Sequence, residues 1–233
     1  MKSGTLYVVS TPIGNPDDLT LRALRILGTV DLIASEQPRA TQALLAPHRI
    51  ATPLTSYHND NKEDKTPILL ARLREGQAVA LVCDAGTPTL QDPGCYLIAQ
   101  AVQAGFTVAP IPGPSAVLAA LVTSGWSGDA FVFAGAWPTR RTAQRRLLAW
   151  VMNGPAPIVL FIDPARAVTA LATLAASLGN RSAVMGVDLT TAREQVLRGR
   201  LSQLMARIGK APLTGEMTLV IQGRRGRGRR KRR

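Results

Sequence analysis

Residues 79–94 read VALVCDAGTPTLQDPG, and this stretch decides the fold. Val79 to Cys83 is a short, unbroken apolar run, the signature of a strand buried on both faces. The loop that follows, Asp84-Ala85-Gly86-Thr87-Pro88, begins with an acid at the strand tip and turns on glycine and proline. Working outward, similar units recur on both sides. Leu6 to Ser10 reads as a strand closed by the loop Thr11-Pro12-Ile13-Gly14-Asn15-Pro16, after which Asp18 is expected to cap a helix with Leu21, Leu24, Ile26 and Leu27 along one stripe. Val30 to Ala34 and Leu54 to Tyr57 read as strands, with a short helix from Arg39 to Leu45 between them. Pro67 to Arg74 and Cys95 to Ala104 read as helices stopped by Gly76 and Gly105, and Phe106 to Ile111 as a fifth strand. Five strands alternating with helices imply a parallel, doubly wound α/β sheet.

Beyond the punctuation Pro110-Ile111-Pro112-Gly113-Pro114 and one helix to Thr123, the pattern changes. Strands are expected at Ala130–Ala134, Ile158–Ile162, Ala183–Asp188, Glu194–Leu197 and Met217–Ile221. Helices are expected at Ala143–Met152, Ala165–Leu178 and Leu201–Ile208. The spacing of the last strands is too uneven for a pure βαβ series, so this sheet is expected to be mixed. The organisation is then an N-terminal α/β domain over 1–113, a C-terminal α/β domain over 114–223 and a basic tail over 224–233.

Composition bounds the function. The chain has 233 residues, 46% of them apolar, enough to build a core and too many for a disordered chain. Only 4% are aromatic, which argues against a surface made mainly to stack unpaired bases. Cys83 and Cys95 cannot make a disulfide framework, no Cys/His/acid set has metal-ligand spacing, and no metal is expected. No apolar run approaches a membrane span and no leader is evident, so the protein is expected to be cytoplasmic and to have no membrane partner. Net charge is +13, unevenly spread: Arg224 to Arg233 holds eight basic residues, leaving 20 basic against 15 acidic residues, or +5, in the rest. Such a Gly/Arg tail is expected to be disordered alone and to act as an electrostatic arm for a polyanion such as RNA, or else only to aid solubility. Arg140, Arg141, Arg145 and Arg146 form a second cluster, which also fits a solvated helix face.

In open α/β sheets ligands bind beyond the carboxyl ends of the strands. Three of these ends carry unusual loops: Thr11-Pro12-Ile13-Gly14-Asn15, Asp84-Ala85-Gly86-Thr87-Pro88 and Pro112-Gly113-Pro114-Ser115-Ala116. Glycine admits close backbone approach, proline stiffens the walls, and Asp84 offers a carboxylate. The set suits a small polar ligand with an amine or hydroxyls. It does not suit a pyrophosphate, because neither GxGxxG nor GxxxxGK is present.

The strings LYVVSTPIGNPDDLTLRAL, VDLIASEQPRAT, SYHNDNKEDK, VALVCDAGTPTLQDPG and VAPIPGPSA resemble the ribosomal small-subunit RNA 2′-O-ribose methyltransferase I family, within the tetrapyrrole methylase superfamily. The resemblance runs from Leu6 to about Gly135 with specific motifs, and more weakly to Gly223. It implies a two-domain homodimer, S-adenosylmethionine as cofactor in a cleft between domains, and a cytidine-2′-O-methyltransferase acting on ribosomal RNA of the small subunit. It also implies that Pro12, Asp84, Gly86, Thr87, Ser115 and Ala116 line the cofactor site. Departures fall elsewhere: Glu36-Gln37-Pro38-Arg39 stands where the family tends to read Glu-Asp-Thr-Arg. Ile162-Asp163-Pro164-Ala165-Arg166, Thr214-Gly215-Glu216 and Gly135-Ala136-Trp137-Pro138 also differ from its usual strings.

A ribose hydroxyl is a weak nucleophile, so a positioned proton acceptor adds roughly 10²-fold or more to its transfer rate. Glu36 at the tip of the second strand, with Arg39, and His58 after the third are the acceptor-side candidates, and Asp92 is a lesser one. Glu36 and Arg39 also fit a structural ion pair, and His58 a solvated or capping role; His48, beside Pro47, reads as surface. Two other functions share these features: a tetrapyrrole C-methyltransferase of the precorrin type, and a non-catalytic RNA-binding descendant of the family.

Overall fold

A computed structural model of the chain describes residues 4–89 and 93–224. Two compact units divide it: the first ends at Ser115 and the second begins at Ala116. In the first, β1 (Thr5–Val9), β2 (Leu32–Ser35), β3 (Leu54–Ser56), β4 (Val79–Val82) and β5 (Thr107–Ile111) form a sheet of order β3-β2-β4-β1-β5. All four pairings are parallel. The strands alternate with α1 (Leu21–Leu27), α2 (Pro38–Leu45), α3 (Lys62–Arg74) and α4 (Gly94–Gln103).

The period-two alternation of the strands divides the core. Leu6, Leu32, Ala34, Val79 and Leu81 pack with Leu69 and Leu73 of α3 and Leu97 of α4. Val9, Ile33, Ala80, Val82 and Ile111 pack with Ala23 and Leu27 of α1 and Leu45 of α2. The sheet is therefore covered by two helices on each face, as right-handed crossovers require when the chain steps first one way along the sheet and then the other. The step reverses between β2, which leads through α2 to β3, and its neighbour β4, which leads through α4 to β5. That is the topological switch point.

Several local expectations are corrected. Asp18 does not cap α1; it lies in a 3₁₀ turn, Pro16–Asp18, and the Thr20 hydroxyl accepts the Ala23 amide instead. Leu21, expected in the apolar stripe, is 83% exposed, because at the first position of the helix it faces away from Ala23 and Leu27. Helix α3 starts at Lys62, five residues before Pro67, since Glu63 and Asp64 in its first turn suit the positive end of the helix dipole. Pro110 sits inside β5, which an edge strand tolerates because one side of its backbone has no ladder to complete.

The second unit has α5 (Ala116–Ser124), β6 (Val132–Ala136), α6 (Arg141–Val151), β7 (Ile158–Ile162), α7 (Ala167–Leu178), β8 (Ser182–Val187), β9 (Gln195–Arg200), α8 (Leu201–Lys210) and β10 (Met217–Ile221). Its sheet has the order β6-β7-β10-β8-β9 and is mixed: β6 and β7 are parallel and the other pairs antiparallel. Leu171 and Leu174 of α7, Leu201 and Leu204 of α8, and Leu148 of α6 cover one face over Leu160, Met185 and Leu219. Helix α5 packs on β7, β8 and β10. Arg140, Arg141, Arg145 and Arg146 are all exposed. Arg224, which the sequence assigns to the tail, donates its amide to Gly154 O (2.9 Å) and its Nη1 to Asn153 Oδ1 (2.9 Å); the rest of that tail lies outside the described residues.

Candidate active site

Five parallel strands deliver their carboxyl ends to one edge, so the loops after β1, β4 and β5 meet there. Thr11 N donates to Gly86 O (2.9 Å) and Gly86 N to Thr11 O (3.1 Å), which stitches the first loop to the fourth. The Thr11 hydroxyl donates to Cys83 O at 3.1 Å. Thr87 Oγ1 shares a hydrogen bond with Ser10 Oγ (2.9 Å) and donates to Pro114 O (3.2 Å), tying in the fifth loop. Gly86 holds φ +78°, and a Cβ there would stand 3.3 Å from Ile13 Cγ2. A Cβ at Gly113 would come within 2.9 Å of Ser10 Cβ. Glycine at 86 and 113 thus lets the three loops close on one another as a single frame.

Against this frame lies a cavity of about 290 Å³. Its walls are Thr11, Pro12, Ile13, Gly14 and Pro16 from the first loop, Cys83, Asp84 and Ala85 from the fourth, and Ala40, Thr41 and Leu44 from α2. The volume is close to the lower end of small-molecule sites, about 300–1,000 Å³. Across the switch point, Gln37 Nε2 donates to Asp84 Oδ2 at 2.5 Å. Behind it, the buried Ser35 and Thr41 hydroxyls share a hydrogen bond of 2.6 Å that fixes α2 to the end of β2. Asp18 Oδ2, in the turn after the first loop, is buried and has no hydrogen-bond partner among the described residues.

The expected site residues separate in this geometry. Pro12 and Asp84 line the cavity, while Gly86 and Thr87 hold its frame together. Ser115 is the last residue of the first unit and Ala116 the first of the second, opening α5. Glu36 is half-buried directly after β2, and Arg39 is exposed on the first turn of α2. His58 follows β3, the edge strand, and its Nε2 lies 3.0 Å from Asn61 Nδ2 in a loop that leads into α3. His48 is exposed in a 3₁₀ turn, and Asp92 lies outside the described residues. Sequence reasoning missed Ala40, Thr41 and Leu44, as well as Gln37 as a partner of Asp84. Positions 40, 41 and 44 share one helical face, a signal present in the α2 sequence.

A cavity with mixed lining and one carboxylate, Asp84, fits a ligand that carries an amine, hydroxyls and a flat aromatic base, as S-adenosylmethionine does. Comparisons with known proteins identify the family. Residues 5–205 match the family model of Tetrapyrrole (Corrin/Porphyrin) Methylases. A relative from Micromonospora olivasterospora, named ribosomal RNA small subunit methyltransferase I, is 45% identical over 222 residues, 95% of this chain and 71% of the relative. One of the same name from Thermotoga maritima is 37% identical over 221 residues, 95% of this chain and 99% of the relative. Among solved structures, diphthine synthase superposes with a TM-score of 0.71 at 16% identity, covering 94% of this chain and 90% of that one. Uroporphyrin-III C-methyltransferase from Thermus thermophilus, complexed with S-adenosyl homocysteine, does so at 0.66 and 21%, covering 94% and 97%. By sequence and by fold, the chain belongs to the tetrapyrrole methylase family, in the branch of ribosomal RNA small subunit methyltransferase I.

Proposed function

We propose that this protein methylates a ribose 2′-hydroxyl, that of a cytidine, in small-subunit ribosomal RNA, with S-adenosylmethionine as the methyl donor. The observation that carries the reading is the hydrogen-bonded frame of the TPIGN and DAGTP loops around a cavity at the switch point of the sheet. Relatives at 37–45% identity named ribosomal RNA small subunit methyltransferase I support the acceptor. A fold neighbour complexed with S-adenosyl homocysteine supports the cofactor. A tetrapyrrole acceptor is disfavoured: the uroporphyrin enzyme shares only 21% identity, which speaks for the fold alone.

Bound S-adenosylmethionine supplies a methyl already activated as a sulfonium, open to in-line displacement by oxygen. The chain's task is then to hold, orient and deprotonate. Backbone groups of the first and fourth loops and the Asp84 carboxylate would hold the cofactor's polar groups. Pro12 and Ile13 shape the wall, and Leu44 of α2 adds an apolar patch. Fixing the acceptor at attack distance supplies several kcal/mol of the barrier, on the order of 7 or more in ideal cases. Glu36, beside the cavity's α2 wall, takes the hydroxyl proton as the oxygen–carbon bond forms, and Arg39 steadies the adjoining phosphate. His58 is the alternative proton acceptor. The same reading makes the protein a cytoplasmic homodimer. Among the described residues no helix is long and apolar enough to cross a membrane.

The test is incubation with radiolabelled S-adenosylmethionine and small ribosomal subunits from a methylation-deficient cell. Ribose methylation blocks alkaline cleavage at the modified nucleotide, so label should appear in an alkali-resistant dinucleotide. Absence of transferred label from a protein that binds the cofactor would leave the non-catalytic RNA-binding reading in its place.

A further inference from the structure

The second unit has a cavity that the proposed reaction does not use. It measures about 440 Å³ and lies at the edge of the mixed sheet where β9 and β10 end and β8 begins. Arg181, Arg200 and Arg224 converge on it together with Ser182 and Gln222, and among the described residues none that lines it is acidic.

Each arginine is held by neutral oxygens. Arg181 donates Nε to Leu178 O (2.9 Å) and Nη2 to Met152 O (2.6 Å). Its remaining Nη1 is buried and has no hydrogen-bond partner among the described residues. Arg200 donates Nη1 to Asn180 O (3.1 Å), and Arg224 donates Nη1 to Asn153 Oδ1 (2.9 Å). Gly223 makes the last placement possible: a Cβ there would collide with the Pro155 carbonyl, so only glycine lets the chain leave β10 along that backbone. Burial, and then repulsion by Arg224, push the Arg181 guanidinium below its ordinary pKa. Three positive charges are therefore fixed around one cavity, with no counter-charge in its lining among the described residues. Like charges held around one cavity repel one another, and an anion seated among them offsets that cost.

We infer that Arg181, Arg200 and Arg224 form a phosphate-binding pocket that grips a phosphate of the RNA backbone. Guanidinium groups match phosphate geometry with paired N–H donors, and the cavity has room for a phosphodiester with part of its sugar. Arg224 also leads directly into residues 225–233, seven of which are basic, so the pocket lies at the root of the most positive stretch of the chain. The inference rests on RNA being the substrate.

The experiment uses the full chain, its Arg200→Gln and Arg224→Gln variants and the double variant. Arg181 is kept, because its bonds tie the end of α7 to Met152. Binding is measured to a 20-nucleotide single-stranded oligouridylate across a salt series, and to inorganic phosphate by calorimetry. The expected result is about a tenfold loss of RNA affinity in the double variant. Its slope of log affinity against log salt should flatten by about 1.4, at roughly 0.7 for each lost phosphate contact. Free phosphate should bind only at millimolar concentration. If the double variant does not fold, each single variant should flatten the slope by about 0.7. Micromolar phosphate binding with unchanged RNA affinity would reassign the pocket to free phosphate and overturn the inference. Unchanged binding of both probes would abolish the site altogether. Methyl transfer to small-subunit RNA by the unaltered chain, run in parallel, reports on the reaction itself, so failure of that reading is seen separately.

Discussion

Gln37 Nε2 donates to Asp84 Oδ2 across the crevice between β2 and β4, joining residues 47 apart in sequence. The strands are neighbours only because the chain reverses its direction of travel along the sheet at this point. The bond therefore lies where the fold opens its ligand crevice, with Asp84 on the cavity wall. The resemblance in the motif reads an acid at position 37. In this chain an amide donor faces Asp84 instead.

Gln37→Ala should lower S-adenosylmethionine affinity by about fivefold, near the 1 kcal/mol typical of one hydrogen bond. Asp84→Ala should cost 1 kcal/mol or more, roughly the worth of a hydrogen bond to a charged group. Gln37→Asp should weaken binding beyond Gln37→Ala, because two carboxylates then face each other. That excess should shrink as salt rises, since both groups are exposed. Calorimetry of the three variants at low and high salt decides it. Equal affinity for the alanine and aspartate variants at low salt would remove the electrostatic part of the argument.

Glu36→Gln should lower turnover while leaving cofactor affinity nearly intact, because an interaction made only in the transition state is lost. Glu36 follows β2, outside the residues that wall the cavity. A drop in S-adenosylmethionine affinity equal to the drop in turnover would move Glu36 to the cofactor side.

The loop frame has its own test in two glycines of equal φ. Gly86 and Gly105 both hold φ +78°, but a Cβ at 86 meets Ile13 Cγ2 at 3.3 Å, whereas at 105 nothing lies within 4 Å. Alanine at either should cost about 1–2 kcal/mol of stability for the left-handed backbone. Only Gly86→Ala should also weaken cofactor binding, because Ile13 lines the cavity. Denaturant unfolding and calorimetry read the two effects apart. An equal loss of affinity at Gly105→Ala would show that global stability, not the loop frame, sets binding.

Much of this was legible in the residues. The apolar runs at Val79 and Ile158 fix their strands because a short run between turn signals has few other ways to bury both faces. The loops at the carboxyl edge follow from glycine, proline and Asp84 appearing together after strands that must be parallel. Less legible was the division of labour inside those loops. Gly86 and Thr87 look like ligand residues, yet their hydrogen bonds to Thr11, Ser10 and Pro114 hold loop to loop. Such bonds depend on strand order, β4 beside β1, which local pattern does not contain. The Arg181 pocket was hidden for the same reason. Its three arginines are 19 and 24 residues apart in sequence and meet only because β8, β9 and β10 share one edge.

The basic stretch 225–233 leads to the last prediction. Seven of its nine residues are Lys or Arg and none is acidic, so it should bind phosphates through counterion release and carry little sequence information. Deleting it should weaken binding to unrelated RNA sequences alike and leave the methylated nucleotide where it was. The slope of log affinity against log salt should flatten by about 0.7 for each phosphate contact the stretch makes to single-stranded RNA. Combined with Arg200→Gln, the two changes in slope should add, because the contacts fall on different phosphates. Filter binding over a salt series with three unrelated oligonucleotides measures the slopes, and alkaline mapping of the product locates the methyl. An unchanged slope would mean that the stretch touches no RNA and serves only solubility. A shifted methylation site would mean that it reads the shape or sequence of the substrate, and the electrostatic account would fail.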